Sequence, residues 1–400
     1  MTEPKASWDT AQETTVGHEQ RLLASAVDGD RQALARLAVH PEGGALARRH
    51  RLGPALALRA AHLRWSDAPP PAVDTWREEL RKAAVVHLAL DDALGRITTA
   101  LDRIAVLWAP IKGLDLAHRV DADGRRVYAR AEERRTADLD LLVERSHFES
   151  ARDALRADGW RALWTGPLAE RYLQDEGYAW QATGPGGVLL ELHWRLWGSV
   201  GDDVADRLLA RAAPAADGST GGGQRLDLAD AWLLAATHLW LEPPPRAIGR
   251  FWDLSKIADA ARAAGDEGFI ERVVAAAREA DLQAPAVLGG RVASALWQRP
   301  ECRAIAARLM PTLRSAERRL IAHPRPEELP TRRLAWARLR SGRRTRQGWR
   351  VVWRRLWPHP GLVEIGTSER LPWTLRRIYA QWRVLRPPSP TRHAVEGAPD

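Results

Sequence analysis

Two acidic residues stand one position apart in an apolar segment of the chain. They are Asp138 and Asp140, in the sequence ADLDLLV. This pattern is typical of a buried strand, and its period of two places both aspartates on one face, with Leu139 and Leu141 on the other. Neighbouring ionised carboxylates repel and are costly to bury unless they are paired or bound to a metal. Since Mg²⁺ prefers oxygen ligands and often carries substrate phosphates, the pair predicts a metal site.

A third carboxylate is expected from a neighbouring strand, because two aspartates supply only part of the ligands of one or two ions. In the segment VLLELHW, Glu191 and His193 share one strand face. Glu191 is therefore the predicted third ligand.

The turn Lys112-Gly113 closes the apolar run AVLWAPIKG, which predicts a strand that turns into a helix. Gly113 would let the backbone approach a polyphosphate closely, and Lys112 could neutralise it. Lys112 is one of only 4 lysines beside 56 arginines, so a compact ammonium is indicated at this position.

These residues lie in a short α/β segment of a mainly helical chain. Over residues 104–198 the patterns run strand, helix, strand, helix and two strands, which predicts a small mixed sheet and an α+β fold. Ser146 is the predicted N-cap of the second helix, with Glu149 completing a capping box. The predicted domains are an N-terminal helical region (1–103), an α/β core (104–200), a helical domain (201–300), a basic Arg/Trp-rich helical region (301–386) and a disordered tail (387–400).

The net charge of +9 is concentrated towards the C-terminus. Ten arginines and no acidic residue occur in the segment 332–355, interleaved with Trp336, Trp349 and Trp353. The spacing of Trp349 and Trp353 is typical of a buried helix stripe, so we interpret this segment as helices with solvated arginines. Binding of nucleic acid by this basic segment is the alternative interpretation.

Features that direct export or membrane insertion are not predicted. The N-terminal segment is polar, and no run of 18 apolar residues occurs. Cys302 is the single cysteine, which excludes an internal disulfide and suits a reducing compartment. We therefore expect a cytoplasmic protein that does not bind membranes.

Together, these motifs resemble the uncharacterised nucleotidyltransferase family of the polymerase-beta-type superfamily. The resemblance rests on Lys112-Gly113, on Arg134 four residues before Asp138 in DLDLLV, and on the segment ELHW that begins at Glu191. It extends to the lead-in RRHRLGPALALRAAHL and to the later segment FWDL with His238, so it covers roughly residues 20–385. His238 itself is expected to be a core histidine. The superfamily usually has Gly-Ser at the phosphate turn, where this chain has Lys-Gly.

The resemblance implies a nucleotidyltransferase core flanked by helical regions, in which two Mg²⁺ ions support transfer of a nucleoside monophosphate from an NTP. Asp138 and Asp140 would bind the metals, and Glu191 would bind the catalytic ion and deprotonate the acceptor. His193 would support these ligands or face the acceptor. The implied phosphate-binding residues are Lys112, Gly113, Arg134 and Arg135.

The acceptor stays open between a small molecule, a natural-product intermediate, a protein and RNA. A non-catalytic accessory protein that binds a nucleotide or a partner with the same fold is an alternative function. The position of Glu191 discriminates between the two, because an active site requires it beside Asp138 and Asp140.

Overall fold

The computed structural model describes residues 17–63, 68–120, 124–175, 177–196, 203–215, 223–241 and 247–321. The chain divides into two compact units, Met1–Leu163 with Tyr178–Leu329 and Trp164–Gly177 with Pro330–Asp400. The predictions for the basic segment 332–355 and for the tail fall outside the described residues.

The N-terminal part of the first unit is helical. Its described helices are α1 (His18–Asp28), α2 (Arg31–Val39), α3 (Gly43–Arg49), α4 (Gly53–Ala60) and α5 (Pro71–Asp102). The carboxylate of Asp30 caps α2 by accepting hydrogen bonds from the backbone N–H groups of Gln32 and Ala33. Trp76 of α5 is fully buried, and its indole N–H donates to the carbonyl of Gly43 at 3.3 Å, which ties α5 to α3.

A small mixed sheet follows these helices. Its strands are β1 (Trp108–Ile111), β2 (Asp138–Val143), β3 (Arg161–Ala162), β4 (Ala179–Thr183) and β5 (Leu189–His193), in the order β1-β2-β5-β4-β3. Strands β2 and β5 are parallel, and the other neighbours are antiparallel. Helix α6 (Lys112–His118) starts directly after β1, and α7 (Phe148–Ala157) follows β2. The sheet and the surrounding helices confirm the predicted mainly helical α+β fold.

The register of the sheet aligns polar residues across three strands. Asp140 of β2 is opposite Glu191 of β5, and Glu191 is opposite Gln181 of β4. Residues directly opposite in neighbouring strands project from the same face. On the other face Leu139 and Leu141 are completely buried, so the apolar half of each strand fixes the direction of the polar half.

The prediction that Ser146 caps the second helix is wrong. A 3₁₀ turn covers Arg145–His147, and α7 begins at Phe148 without a side-chain cap. The later start places the buried ring of Phe148 against Trp194, with ring centroids 3.9 Å apart, and this packing takes precedence over the local capping signal.

Helices also form the described part of the chain after the sheet. They are α9 (Val204–Arg211), α10 (Leu228–Leu241), α11 (Gly249–Ala263), α12 (Phe269–Glu279), α13 (Gln283–Trp297), α14 (Pro300–Leu309) and α15 (Ser315–Ile321), with the short strands β6 (Ala213–Pro214) and β7 (Gln224–Arg225). Gly290 brings α13 close to α14, since a Cβ atom there would lie 2.6 Å from the carbonyl of Cys302. None of the described helices has the length and apolarity needed to cross a membrane.

The second compact unit is described only in part. Its described helix is α8 (Pro167–Asp175). The predicted domain boundaries remain a prediction.

Candidate active site

Four side chains meet above the polar face of β2 and β5. Nε2 of His193 lies 3.0 Å from Oδ1 of Asp140 and 3.3 Å from Oε2 of Glu191. Nζ of Lys112 lies 2.6 Å from the same Asp140 oxygen and 3.8 Å from Oε2 of Glu191. Potential ligand atoms of Asp140, Glu191 and His193 all lie within 4.8 Å of one another, which is compatible with metal binding. The sheet therefore brings Glu191 beside Asp140, as predicted.

The two carboxylates in this group are kept ionised by their partners. Burial opposes ionisation of Asp140, but the Lys112 ammonium and the hydrogen bond from His193 hold its pKa well below the usual range. Burial likewise opposes ionisation of Glu191, whose pKa is nevertheless lowered, chiefly by the hydrogen bond from His193. Gln181 donates its amide N–H to Oε1 of Glu191. This bond leaves Oε2 directed towards Lys112 and His193.

Asp138 lies on the same strand face but outside that closest group. Burial raises its pKa, and repulsion from Asp140 and Glu191 raises it further. The negative charge of Asp138 is thus less well compensated than that of Asp140. A bound divalent cation would remove this imbalance.

Lys112 enters the cluster from the first residue of α6. Its backbone is left-handed, with φ at 57°, a conformation that is unfavourable for a residue with a Cβ atom. A residue held in such a conformation near polar clusters is a frequent feature of functional sites.

Gly113 has a structural role at the turn, separate from the predicted contact with a polyphosphate. A Cβ atom at this position would lie 2.8 Å from Nη1 of Arg134 and 2.8 Å from Cγ2 of Thr136. The glycine therefore provides room for these two side chains against the turn. Whether Gly113 also contacts phosphate stays a prediction.

Arg134 is anchored by a residue 119 positions later in the chain. Its Nε and Nη2 atoms each donate to the carboxylate of Asp253 at 2.9 Å. The hydroxyl of buried Tyr128 donates to the same carboxylate at 2.6 Å. Although burial disfavours the charged form, Asp253 raises the pKa of Arg134. The bidentate pair fixes α11 against the segment that precedes β2.

Arg135, the neighbouring predicted phosphate ligand, donates to Glu79 of α5 at 3.0 Å. Its side chain remains 46% exposed, in contrast to 16% for Arg134. Of the two, Arg135 therefore has the greater access to a ligand. Phosphate binding by either arginine stays a prediction.

A pocket of about 590 Å³ contains these groups. Asp138, Asp140 and Glu191 line one part of it. Arginines line another part, supplied by the helical regions as well as by the sheet: Arg48, Arg49, Arg51, Arg134, Arg135 and Arg250. The pocket therefore combines a carboxylate group, where a cation could bind, with an arginine-rich wall, where an anion could bind.

The residues present fit a hard divalent cation. Carboxylate oxygens of Asp140 and Glu191 face one position, and the Lys112 ammonium already places a positive charge beside both. We assign the proton of His193 to Nε2, because that atom faces two carboxylate oxygens. In this tautomer the histidine orients the carboxylates by hydrogen bonding and leaves the ligand positions to oxygen atoms.

A sequence model described as an uncharacterised nucleotidyltransferase matches residues 44–298. The chain belongs to this nucleotidyltransferase family. The matched span contains the whole sheet. It also contains all the residues that line the pocket, which run in sequence from Arg48 to Asp253. No curated protein and no solved structure matches the chain.

Several residues of the site could not be identified as functional from the sequence. Gln181 has an ordinary strand pattern, and its role follows only from its register with Glu191. Asp253 stands in the segment FWDL, which carries part of the family resemblance without indicating its partner. His238, expected in the core, lines the pocket, where burial, followed by the charges of Lys112 and Arg250, lowers its pKa to about 3.

Proposed function

We propose that the protein is an Mg²⁺-dependent nucleotidyltransferase that moves a nucleoside monophosphate from an NTP to an acceptor and releases pyrophosphate. The observation that carries the proposal is the position of Glu191 beside Asp140, on the sheet face that also presents Asp138. An arginine-rich wall in the same pocket, and membership of a nucleotidyltransferase family, support it further.

Asp138, Asp140 and Glu191 would hold one or two Mg²⁺ ions. When bound, these ions polarise the phosphate and neutralise charge that develops during transfer. His193 and Gln181 hold the carboxylates in place by hydrogen bonds to Asp140 and Glu191. Much of the rate enhancement in such a site would come from the positioning of the two substrates.

The proposed reaction begins with a hydroxyl oxygen of the acceptor. This oxygen forms a bond to the α-phosphorus while the α–β phosphoanhydride bond breaks, and pyrophosphate leaves with the bonding electrons. Oε2 of Glu191 can accept the proton of the hydroxyl, since Gln181 already binds the other carboxylate oxygen. A small molecule, a natural-product intermediate, a protein or an RNA end could provide the hydroxyl.

The test uses NTPs labelled at the α- or the γ-phosphate, incubated with Mg²⁺, host lysate and the purified protein. We expect wild type to attach the α-label to an acceptor and to release the γ-label as pyrophosphate. The double variant Asp138→Ala/Asp140→Ala should lose this labelling, whereas Asp153→Ala should retain it because Asp153 is exposed on α7. Equal labelling by wild type and the double variant, or attachment of the γ-label, would refute the proposal.

Non-catalytic nucleotide binding is a second candidate function, favoured by one contact. Lys112 lies 2.6 Å from Asp140, where it takes up an oxygen that a metal would need. This function predicts NTP binding of equal strength in Mg²⁺ and in EDTA, together with no α-label transfer. Calorimetric titration of the protein with ATP under both conditions distinguishes the two functions.

A further inference from the structure

Two arginines that the sequence patterns do not single out are brought together by a docked turn. The backbone N–H of Gly249 donates to the carbonyl of His50 at 3.0 Å, and the N–H of Ile248 donates to Nδ1 of His50 at 3.3 Å. A Cβ atom at Gly249 would lie only 2.6 Å from the His50 carbonyl, so this close approach depends on glycine. The contact places Arg51, next to His50, and Arg250, next to Gly249, on the wall of one pocket.

Arg51 is held in an unusual backbone conformation. Its φ of 60° lies in the left-handed region, which favours glycine and asparagine over arginine. The docked turn keeps Arg51 in this conformation at the pocket wall. Together with Lys112, it is one of two left-handed non-glycine residues among those that line the described pocket.

The charge of Arg51 is compensated differently from that of its neighbours. Arg134 bonds Asp253, and Arg135 bonds Glu79. Within the part of the chain that the structure describes, no carboxylate forms an ion pair with Arg51, whose side chain is exposed to solvent. Its positive charge is therefore available to a ligand that enters the pocket.

Arg51 and Arg250 also repel each other. Burial, followed by the charge of Arg51, lowers the pKa of Arg250 to about 10. The pocket walls remove part of the hydration of Arg51, and this burial, followed by repulsion from Arg135 and Arg134, lowers its pKa as well. The carboxylates of Asp138 and Asp253, which line the same pocket, attract both guanidinium groups. A bound polyanion would relieve the repulsion between these cations.

We propose that Arg51 and Arg250 bind the polyphosphate end of the nucleotide, namely its β- and γ-phosphates. This inference rests on the proposed function, because the carboxylates then hold the α-phosphate end through a metal. The β- and γ-phosphates carry most of the charge of an NTP and leave as pyrophosphate. Planar guanidinium groups suit phosphate oxygens, and here they would stabilise the leaving group.

Within the described residues, the lack of a carboxylate ion pair also distinguishes Arg51 from the predicted phosphate ligands. Lys112 and Arg134 already bond Asp140 and Asp253, respectively. The polyphosphate would therefore extend from the strand carboxylates towards the wall built by α3, α4 and α11. Specificity for a triphosphate would arise from the helical regions that flank the sheet.

The experiment measures binding without requiring turnover. The full-length protein is titrated calorimetrically with inorganic tripolyphosphate in EDTA, and with ATP and AMP in Mg²⁺. Arg51→Asn removes the cation while suiting the left-handed backbone, and Arg250→Gln removes the second cation. Arg36→Gln, at an exposed position of α2 outside the pocket, controls for the loss of one positive charge. Circular dichroism and thermal unfolding verify that each variant is folded.

We expect each pocket variant to bind tripolyphosphate about tenfold more weakly than wild type, as expected for loss of a charge-assisted hydrogen bond at a partly hydrated site. The preference of the protein for ATP over AMP should fall by a similar factor, and Arg36→Gln should behave as wild type. Arg51→Lys gives a second measure, because a lysine retains the charge but lacks the planar fork, and it should restore part of the affinity.

Two results would overturn the inference. One is tripolyphosphate binding that is equal in wild type and in both pocket variants. The other is an equal loss of affinity for ATP and for AMP, which would place the arginines at the nucleoside or the acceptor. If tripolyphosphate binding follows the expected pattern but no α-label is transferred, the inference stands and the proposed function fails. If α-label transfer occurs and the variants bind ATP as wild type does, the inference fails and the function stands.

Discussion

Replacement of Lys112 by methionine should make the stability of the protein depend on a metal ion. Nζ of Lys112 lies 2.6 Å from Asp140, 3.4 Å from Nε2 of His193 and 3.8 Å from Glu191. Since Mg²⁺ binds oxygen at about 2.0–2.1 Å, an ion shared by these carboxylates requires the ammonium to move away. Lys112→Met removes this competing cation and leaves a buried carboxylate without its ion-pair partner.

The size of the effect follows from the burial of the pair. The side chains of Lys112 and Asp140 are 10% and 5% exposed. Removal of one partner of a buried ion pair costs about 3–5 kcal/mol of unfolding free energy. His193 still donates to Asp140 at 3.0 Å in the variant, so we expect a loss of about 3 kcal/mol. A metal present at a hundred times its dissociation constant returns about 2.7 kcal/mol.

Urea denaturation in EDTA measures the stability lost by the substitution, and urea denaturation in saturating Mg²⁺ or Mn²⁺ measures the stability regained with metal. The variant should lose stability in EDTA and regain most of it with metal, while wild type should gain less because the ion must displace Lys112. Lys82→Met is the matched control: its pair with Glu78, at 3.5 Å, is on the surface, and the variant should unfold at nearly the same urea concentration as wild type. A loss below about 1 kcal/mol for Lys112→Met, or equal metal increments in both proteins, would refute the reasoning.

Other changes in the first unit give distinct, measurable effects. Asp138→Asn should stabilise the metal-free protein at neutral pH, because burial and neighbouring carboxylates raise the pKa of this group. The stability gained by the variant should shrink as the pH falls through that raised pKa, because the wild-type acid becomes neutral there. Urea denaturation over a pH series measures the gain, and a gain that stays constant with pH would contradict the prediction. Asp253→Asn should lower the free energy of unfolding by about 3–5 kcal/mol, because it removes the bidentate partner of Arg134. A denaturation midpoint equal to that of wild type would disprove this prediction. Gly113→Ala should lower the free energy of unfolding by about 1–3 kcal/mol, because the added Cβ atom would lie 2.8 Å from two side chains. Gly95→Ala, in open space on α5, should raise it by about 0.5–1 kcal/mol. Thermal unfolding of both variants checks these opposite signs.

Local periodicity was sufficient to predict the polar face of the sheet. The alternation in ADLDLLV and VLLELHW assigns Asp138, Asp140 and Glu191 to strand faces, because the side chains of a strand alternate regardless of what surrounds it. It also predicts the strand-to-helix turn at Lys112, and α6 begins at that residue. The fold class and the family could therefore be predicted from short segments of the chain.

The tertiary structure alone decided what each charged group contacts. Arg134 pairs with a carboxylate 119 residues away, and Ile248, at the turn that places Arg250, bonds His50 at a separation of 198 residues. Such contacts have no local periodicity, because they depend on which helices pack against the sheet and on how closely a glycine lets them approach. The direction of the Lys112 side chain likewise depends on the buried carboxylate that attracts it. The sequence by itself determined which residues face the pocket from the sheet, and the packing of distant helices determined which cations complete it.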